Sequence, residues 1–353
     1  MVPAVLPVST QSAGADLKSE DQNLKDIVML GCGGFSRRYH VPTLTADPRV
    51  RLVGIYDPYA NDEVRDLARR TGAVVVDRLD LLPAADAALV TTPHTLHALH
   101  VEHALERGWA VLVDKPFVMK TQDARRLADK ASRAGLLNAV AFNRRLDPGC
   151  RRARELIASG AIGQTRLVHT VQLGYERAGW FLRPELGGGG AFTGRGTHMA
   201  DLVPWLLGSR PHSVRSRIRP SGTDRSDHGG FIDLEFPDFE CQMTCIDQGL
   251  HMWDEIRVFG ESGLIELRRP AELATGWSMN MIGADGRSVE MQPAEPATGW
   301  ITREFLDALH GAGGVSCTFA DAALSVEIIE AAFESANRTA RASPDPCVKI
   351  SAP

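Results

Sequence analysis

The sequence predicts an α/β protein in which a doubly wound parallel sheet is followed by a largely antiparallel, open sheet. In the first part of the chain, short apolar runs alternate with helical stretches, which is typical of a parallel sheet covered on both faces. In the second part, strand-like runs follow one another with few helices between them, which favours an antiparallel sheet with one open face. The length of 353 residues suits two such domains.

The first predicted domain covers residues 25–147, and each of its strands is a short apolar run. The runs lie at 27–30, 50–56, 73–76, 87–91, 110–113 and 138–142. Helical stretches at 61–70, 97–107 and 121–135 separate several of them. A glycine stands at the end of each stretch or within two residues after it, as glycine commonly terminates helices. Polar clusters follow the strands, at the edge where ligands bind to such sheets.

The second predicted domain covers residues 148–353 and begins with a helix at 148–159. Its strands are predicted at 165–173, 213–218, 231–236, 240–246, 255–259 and 263–267. A run of four glycines at 187–190 and a helical stretch at 196–207 lie between the first two strands, and two late helices are predicted at 300–310 and 320–340. Residues 1–24 are predicted to form a mobile tail because of their Ser, Ala, Gln and Asp content.

The glycine-rich turn after the first strand carries the clearest functional signal. Gly31 suits a tight turn, and Gly33 lets the main chain approach a pyrophosphate that the next helix faces with its N–H groups. Ser36 takes the place of a third glycine and is small enough for close packing. Asp57 ends the second strand, where it can accept hydrogen bonds from a ribose diol and repel a 2′-phosphate. The pattern predicts an NAD site, with an ordinary strand-to-helix turn as the alternative.

Composition excludes several other classes of protein. The net charge of −5 does not suggest nucleic-acid binding, and no apolar run is long enough to cross a bilayer. The N-terminal residues lack the basic start and apolar core of a secretory signal. The six cysteines are scattered, and Cys241 and Cys245 by themselves do not make a zinc site. Free thiols in a reducing cytoplasm are therefore expected.

Nearly the whole chain after about residue 25 resembles the glucose–fructose oxidoreductase/inositol dehydrogenase (Gfo/Idh/MocA) family. The resemblance rests on several motifs that follow one another along the chain. The turn at 31–34, followed by Arg38, His40 and Pro42, is similar to the first turn and helix of that family. Residues 92–97 resemble its T-P-N-x-x-H motif, with His94 for asparagine, and residues 114–116 resemble its E-K-P signature, with Asp114 for glutamate. Residues 143–145 resemble the loop after its sixth strand, and residues 188–201 resemble G-G-G-A-L-x-D-x-G-x-H-x-x-D.

The resemblance implies an N-terminal Rossmann domain, a nicotinamide cofactor, and oxidation or reduction of a sugar, inositol or related polyol. We expect NAD, with NADP binding less well. The cofactor-binding residues that it implies, together with those of the glycine turn, are Gly31, Cys32, Gly33, Gly34, Phe35, Ser36, Asp57, Thr92, Pro93, His94, His97, Asp114, Lys115, Asn143 and Arg144. It also implies that the open sheet serves substrate and oligomer contacts. A homo-oligomer, dimer or tetramer, is expected because one sheet face would otherwise stay apolar.

The catalytic residues implied by the resemblance are Lys115 and His198. A hydride leaves a carbinol carbon only as the hydroxyl proton is removed, so the reaction needs a base and a nearby cation. Histidine titrates near neutral pH and suits the base, while lysine suits stabilisation of the developing alkoxide. The family's aspartate, four residues before the histidine, is replaced here by Gly194, so one carboxylate of the usual group is missing.

Four further residues are candidates for the substrate side of the site: Trp180, Arg183, Arg195 and Asp201, which join Lys115 and His198 there. Trp180 would stack on a sugar ring or lie in the core. Asp201, three residues after His198 on the same helical face, would orient the histidine, bind a substrate hydroxyl or serve as a structural helix acid. Arg195 would supply charge that Gly194 lacks, although a solvated arginine is the simpler interpretation.

Histidines at 94, 97, 100 and 103 repeat every three residues, which raises a metal site as a minor alternative. No carboxylate or cysteine cluster accompanies them, so no metal is predicted.

Three functions are compatible with these residues. The first is an NAD(P)-dependent dehydrogenase or ketoreductase acting on a sugar, cyclitol or aminocyclitol. The second is an enzyme that retains NAD and uses transient oxidation for epimerisation, elimination or glycoside cleavage. The third, suggested by Gly194, is a catalytically silent NAD-binding protein.

Overall fold

The computed structural model describes residues 24–175, 179–219, 227–247, 249, 251–269, 276–293 and 299–341. Cys347 and nearly all of the tail predicted at 1–24 lie outside these ranges. Within them, no helix combines the length and the hydropathy needed to span a membrane.

The N-terminal domain is built on a six-stranded, entirely parallel sheet, as the sequence predicts. Its strands are β1 (Lys25–Leu30), β2 (Val50–Tyr56), β3 (Val74–Val76), β4 (Ala87–Val90), β5 (Ala110–Val113) and β6 (Asn138–Val140). Its helices are α1 (Gly34–Tyr39), α2 (Val41–Ala46), α3 (Asp62–Thr71), α4 (His97–Glu106) and α5 (Thr121–Arg133). The strand order β3-β2-β1-β4-β5-β6 reverses between β1 and β4, and ligands of such sheets bind beyond the carboxyl ends of the strands at this reversal.

The central strands are largely apolar because helices cover both faces of the sheet. Every residue of β4 is fully buried, and so are the last four of β1. The helix that follows the glycine turn differs from the prediction, since it is broken at His40 into two six-residue helices. Pro42 lies in the first turn of α2, where its missing N–H group is tolerated but would interrupt a continuous helix.

The C-terminal domain is built on an eight-stranded sheet with helices on one side. Its strands are β7 (Thr165–Leu173), β8 (Ser213–Ile218), β9 (Gly229–Glu235), β10 (Glu240–Ile246), β11 (Trp253–Gly260), β12 (Gly263–Arg269), β13 (Ser278–Gly283) and β14 (Ser288–Met291). The remaining helices are α6 (Pro148–Ala158), α7 (Pro184–Gly187), α8 (Thr197–Leu207), α9 (Trp300–Leu309) and α10 (Phe319–Arg341). The strand order is β14-β13-β12-β11-β7-β10-β9-β8, and all neighbours are antiparallel except β7 and β10. The sequence does not predict β13 and β14, because their short runs mix polar and apolar residues.

One face of this sheet is covered and the other is open. On the inner face, Val168 and Ile256 are fully buried in the core that also contains residues of α6, α8 and α10. On the outer face, Leu167, Phe231 and Ile282 are 44%, 41% and 49% exposed. The strand alternation between buried and exposed positions confirms the predicted open, largely antiparallel sheet.

The two late helices return to the N-terminal domain. Phe305 of α9 is fully buried in the apolar core on one side of the parallel sheet, and Phe319 of α10 is fully buried on the other side. Just before α10, the carbonyl oxygen of Cys317 accepts a hydrogen bond from the N–H group of Val140 at 2.9 Å. The predicted division at residue 148 therefore separates the two sheets, but residues beyond 299 pack against both.

Candidate active site

The glycine turn after β1 meets two different steric demands. Gly31 has a φ of +84°, and a Cβ there would lie 2.9 Å from the main-chain carbon of Thr91. At Gly33 and Gly34, a Cβ would meet no atom within 4 Å. The turn is thus packed tightly against the end of β4 on one side and leaves its main chain accessible on the other. An accessible main chain at this position fits the pyrophosphate of a dinucleotide.

Asp57 lies beside this turn, at the end of β2. One carboxylate oxygen accepts a hydrogen bond from the N–H group of Cys32 at 3.1 Å, and the other accepts one from Tyr59 at 3.0 Å. The hydroxyl of Ser36 is buried and donates to the carbonyl oxygen of Gly33 at 3.0 Å. Asp57 and Ser36 therefore shape the turn. Asp57 remains a candidate for binding the ribose of the cofactor.

Cys32 and Phe35, the other two candidates in the turn, differ in exposure. The thiol of Cys32 is buried, which raises its pKa to about 11, and the Cys32 carbonyl oxygen accepts a hydrogen bond from Arg37 at 2.6 Å. Phe35 is 49% exposed at the start of α1. Because both main-chain groups of Cys32 have protein partners, the geometry assigns Cys32 to the framework of the turn.

The turns after β4 and β5 lie side by side because these strands are neighbours in the sheet. Thr92 and Pro93 follow β4, and Asp114 and Lys115 follow β5. The carboxylate of Asp114 accepts the N–H group of Lys115 at 2.8 Å, and the peptide bond between Lys115 and Pro116 is cis. The ring of His97 bridges the turns, as Nδ1 is 2.8 Å from the carbonyl oxygen of Pro116 and Nε2 is 2.9 Å from that of Thr92.

Lys115 reaches across to the C-terminal domain. Its ammonium donates a hydrogen bond to the carbonyl oxygen of Gly194 at 3.0 Å. Gly194 lies in a π-helical turn, Phe192–Gly196, that leads directly into α8, and such turns are frequent at functional sites. The group that accepts from the lysine is therefore a main-chain carbonyl, at the position where the family pattern has a carboxylate.

His198 lies in the first turn of α8, close to the same edge of the parallel sheet. Its ring is 6.1 Å from that of Phe142, with an interplanar angle of 78°. Phe142 follows β6, the strand next to the one that carries Lys115. The fold thus brings both predicted catalytic residues to the carboxyl edge of the parallel sheet, although they come from different domains.

The carboxylate of Asp201 is held by a buried arginine. Arg145 binds it with two hydrogen bonds, from Nε at 3.0 Å and from Nη2 at 2.5 Å, and both side chains are buried. Burial works to lower the pKa of Arg145, but the paired carboxylate outweighs it and leaves the pKa above its ordinary value. Of the roles weighed for Asp201, the structure favours the structural helix acid, because both carboxylate oxygens are occupied.

Arg195 is also engaged, which corrects its interpretation as a solvated arginine. Its side chain is 14% exposed, and Nε donates to the carboxylate of Asp247 at 2.7 Å. The guanidinium lies against Gly174, where a Cβ would come within 1.9 Å of its central carbon. Asp247, which the sequence does not single out, thus neutralises the charge that Arg195 was expected to supply in place of the missing carboxylate.

Trp180 and His94 form an aromatic cluster at the boundary of the two domains. The Trp180 ring stacks on Phe181 at 3.8 Å between centroids, and its edge-on contact with the ring of His94 is 4.9 Å. His94 is buried, with Nδ1 3.0 Å from the carbonyl oxygen of Gly187, and the Thr95 hydroxyl donates to Glu185 at 2.7 Å. The half-buried Trp180 therefore packs on the loop after β4 and leaves only part of its surface to a substrate.

Two other residues that were predicted to bind substrate or cofactor have mainly protein partners. Arg183 is exposed and pairs with Glu185. Arg144 is buried and donates to the carboxylate of Asp254 at 3.0 Å, while its guanidinium lies over the ring of Trp277 at 5.3 Å. Burial lowers the pKa of Arg144 to about 10 although Asp254 opposes this. These contacts assign Arg144 to the junction between the domains rather than to the predicted cofactor contact.

Asn143 opens a short 3-10 turn after β6 and remains a candidate for the cofactor side. The sequence does not single out Asp227, which the structure places next to the segment that leads to His198. Its buried carboxylate accepts N–H groups from Gly190 at 2.8 Å, from Phe192 at 3.3 Å and from Gly229 at 2.9 Å. It thereby fixes the start of the segment that leads to His198. No local signal marks it, because the first two contacts span 37 and 35 residues of sequence.

The four spaced histidines have separate environments. His100 has Nδ1 2.8 Å from the hydroxyl of Thr92, and the ring of His103 is 6.0 Å from that of Trp109. In the described part of the chain, no three His, Cys, Asp or Glu side chains are grouped so as to hold a metal ion. Cys241 and Cys245 both face the core on the inner side of β10.

Several known proteins similar to this chain are dehydrogenases by name. This chain is 31% identical over 201 residues to a 1-carboxy-3-chloro-3,4-dihydroxycyclohexa-1,5-diene dehydrogenase of Comamonas testosteroni. The aligned region covers 55% of this chain and only 50% of the relative. The chain is 28% identical over 277 residues to inositol 2-dehydrogenase 2 of Saccharopolyspora erythraea, covering 75% of this chain and 78% of the relative. The crystal structure of GenD2 from gentamicin A biosynthesis in complex with NAD superposes with a TM-score of 0.73 at 26% identity, covering 95% of this chain and 97% of that one.

Family models match both domains. Residues 25–142 match the oxidoreductase family with an NAD-binding Rossmann fold, and residues 150–266 match the GFO/IDH/MocA C-terminal domain. These two ranges together cover most of the chain and agree with the two sheets described above. The chain therefore belongs to the GFO/IDH/MocA family of oxidoreductases.

Proposed function

We propose that this protein is an NAD-dependent oxidoreductase that transfers a hydride between nicotinamide and a secondary alcohol or ketone of a sugar, cyclitol or aminocyclitol. The hydrogen bond from Lys115 to the carbonyl oxygen of Gly194 carries the proposal. It joins the turn on the coenzyme side to the segment that leads into His198. The inositol dehydrogenase among the relatives supports the substrate class, and the relative crystallised with NAD supports the cofactor.

Each residue of the site has a distinct role in this proposal. When bound, NAD supplies the acceptor or donor of the hydride. The Lys115 ammonium donates a hydrogen bond to the reacting oxygen and stabilises the negative charge that develops there. His198 removes the hydroxyl proton, or returns it in the opposite direction. The Gly194 carbonyl orients the ammonium, and unlike the carboxylate of the family pattern it carries no full negative charge.

An absorbance screen at the reduced-nicotinamide band, with NAD and a panel of sugars and cyclitols, tests the proposal. Net formation of NADH supports a dehydrogenase. Conversion of a substrate without net NADH indicates an enzyme that retains NAD and uses transient oxidation. NAD binding with neither result indicates a catalytically silent protein, and either of these last two outcomes would replace the proposal.

We expect NAD to bind more tightly than NADP. The carboxylate of Asp57 lies beside the glycine turn, 3.1 Å from the N–H group of Cys32, and would repel a 2′-phosphate on a ribose held there. Titration of the protein with both cofactors measures the difference in affinity, and Asp57→Ala should narrow it.

A matched control for Asp57→Ala is Asp77→Ala, since Asp77 is an exposed acid that follows the next strand of the same sheet, β3. The control should leave the ratio of the two affinities unchanged. Equal affinities for both cofactors in the wild-type protein, or tighter binding of NADP, would contradict the prediction.

We also propose that the protein is a homo-oligomer, dimer or tetramer, assembled through the open face of the C-terminal sheet. Leu167, Phe231 and Ile282 expose 41–49% of their surface on that face. Light scattering should give a particle larger than 38.3 kDa at micromolar concentration. Ile282→Asp should weaken assembly, whereas Leu81→Asp, at an exposed apolar residue of the N-terminal domain, should not. A stable monomer in the wild-type protein would rule the oligomer out.

A cytoplasmic location is part of the same proposal. The five cysteines in the described ranges are buried free thiols. Thiols persist in compartments that keep them reduced, which supports the reducing cytoplasm expected from the sequence.

A further inference from the structure

His97 is a buried residue that links the two turns on which the proposed chemistry depends. It begins α4 and has no exposed surface. Its Nδ1 lies 2.8 Å from the carbonyl oxygen of Pro116, and its Nε2 lies 2.9 Å from the carbonyl oxygen of Thr92. One imidazole ring therefore spans the gap between the end of β5 and the end of β4.

Both partners of this ring are main-chain acceptors in the interior. A buried carbonyl without a hydrogen-bond donor is unfavourable, so the ring stabilises the turn whose carbonyl accepts its N–H group. A neutral imidazole donates to one carbonyl at a time, and a protonated one donates to both. Burial lowers the pKa of His97, while its contact with Pro116 and the nearby carboxylate of Asp114 act in the opposite direction. The rings of His94, at 5.9 Å, and of His100, one turn along α4, are the other titratable neighbours.

We infer that His97 is a positioning residue that fixes the Lys115 turn relative to the loop after β4. Pro116 is bonded directly to Lys115, so an anchor at its carbonyl restrains the turn that directs the ammonium toward Gly194. The same ring lies 2.9 Å from the carbonyl oxygen of Thr92, so it also fills the space between the predicted coenzyme loop and the lysine turn. Misplacement of a catalytic group by about 1 Å can lower a rate by about 10²-fold. This inference rests on the proposed role of Lys115.

Two substitutions at His97 separate anchoring from bulk packing. His97→Leu removes both polar contacts, whereas His97→Asn retains a donor near the position of Nδ1. In the NAD-loaded protein, we expect kcat to fall by about 10²-fold in the leucine variant and by less in the asparagine variant. His100→Leu is the matched control, because His100 is 1% exposed on the same helix and its Nδ1 faces the hydroxyl of Thr92. We expect it to lower the melting temperature to a similar extent and kcat much less.

A double variant tests whether His97 acts through Lys115. If it does, Lys115→Ala combined with His97→Leu should be no slower than Lys115→Ala alone, because the effects of residues that act as a unit are not additive. Additive losses in the double variant would overturn the inference, as would equal losses of kcat in the His97→Leu and His100→Leu proteins.

Hydrogen exchange of residues 113–119 provides a readout that does not depend on turnover. Exchange should be faster in His97→Leu than in His100→Leu, and equal exchange in the two variants would overturn the anchoring role. If the wild-type protein turns over no polyol, the proposed function fails, but the exchange measurement still decides whether His97 holds this turn.

Discussion

Lys115→Ala is expected to lower turnover by about 10²–10³-fold while the affinity for NAD stays within a few-fold. The ammonium donates to the carbonyl oxygen of Gly194, at the carboxyl edge of β5 and away from the glycine turn after β1. Its charge should therefore act on the developing alkoxide and contribute little to binding of the pyrophosphate. Steady-state kinetics with the substrate found in the absorbance screen, together with NAD titration by calorimetry, measures both quantities.

Lys120→Ala is a suitable control for this experiment. Lys120 lies five residues further along the chain, where its exposed side chain pairs with Glu330 at 3.2 Å. The control should retain the turnover and the NAD affinity of the wild-type protein. A Lys115→Ala protein that turns over like the wild type would show that the family mechanism does not operate here.

His198→Ala is expected to lower turnover by about 10²–10⁴-fold, the range for loss of a general base. His198 follows the turn that contains Gly194, and its ring lies against that of Phe142. This places it at the same edge of the sheet as Lys115, which donates to Gly194. The family's carboxylate four residues before this histidine is replaced by Gly194 in this chain. Single-turnover measurements at saturating NAD isolate the chemical step.

His310→Ala is the control, since His310 follows α9, with its Nδ1 2.8 Å from the carbonyl oxygen of Leu306. Full activity in His198→Ala combined with loss of activity in Lys115→Ala would assign the base to another group. Asp201 is a poor substitute, because Arg145 occupies both of its carboxylate oxygens.

The two domains were predictable because their patterns are local. Apolar runs alternating with helices predict the parallel sheet, and the glycine turn and Asp57 need only the order strand, turn, helix, strand. The prediction of one helix after the turn was wrong, since Pro42 divides it into α1 and α2. The short strands β13 and β14 were missed because pairing with neighbours, rather than their own composition, stabilises them.

The sequence by itself determined the fold class, the identity of the glycine turn and the presence of Lys115 and His198 in family motifs. The tertiary structure alone decided the partners of three buried or partly buried arginines, which are Asp254 for Arg144, Asp201 for Arg145 and Asp247 for Arg195. These pairs are separated by 110, 56 and 52 residues, so no periodicity along the chain reports them. Burial periodicity is a property of one element, whereas a charge pair depends on which elements become neighbours, and that is set when the two sheets and the late helices pack together.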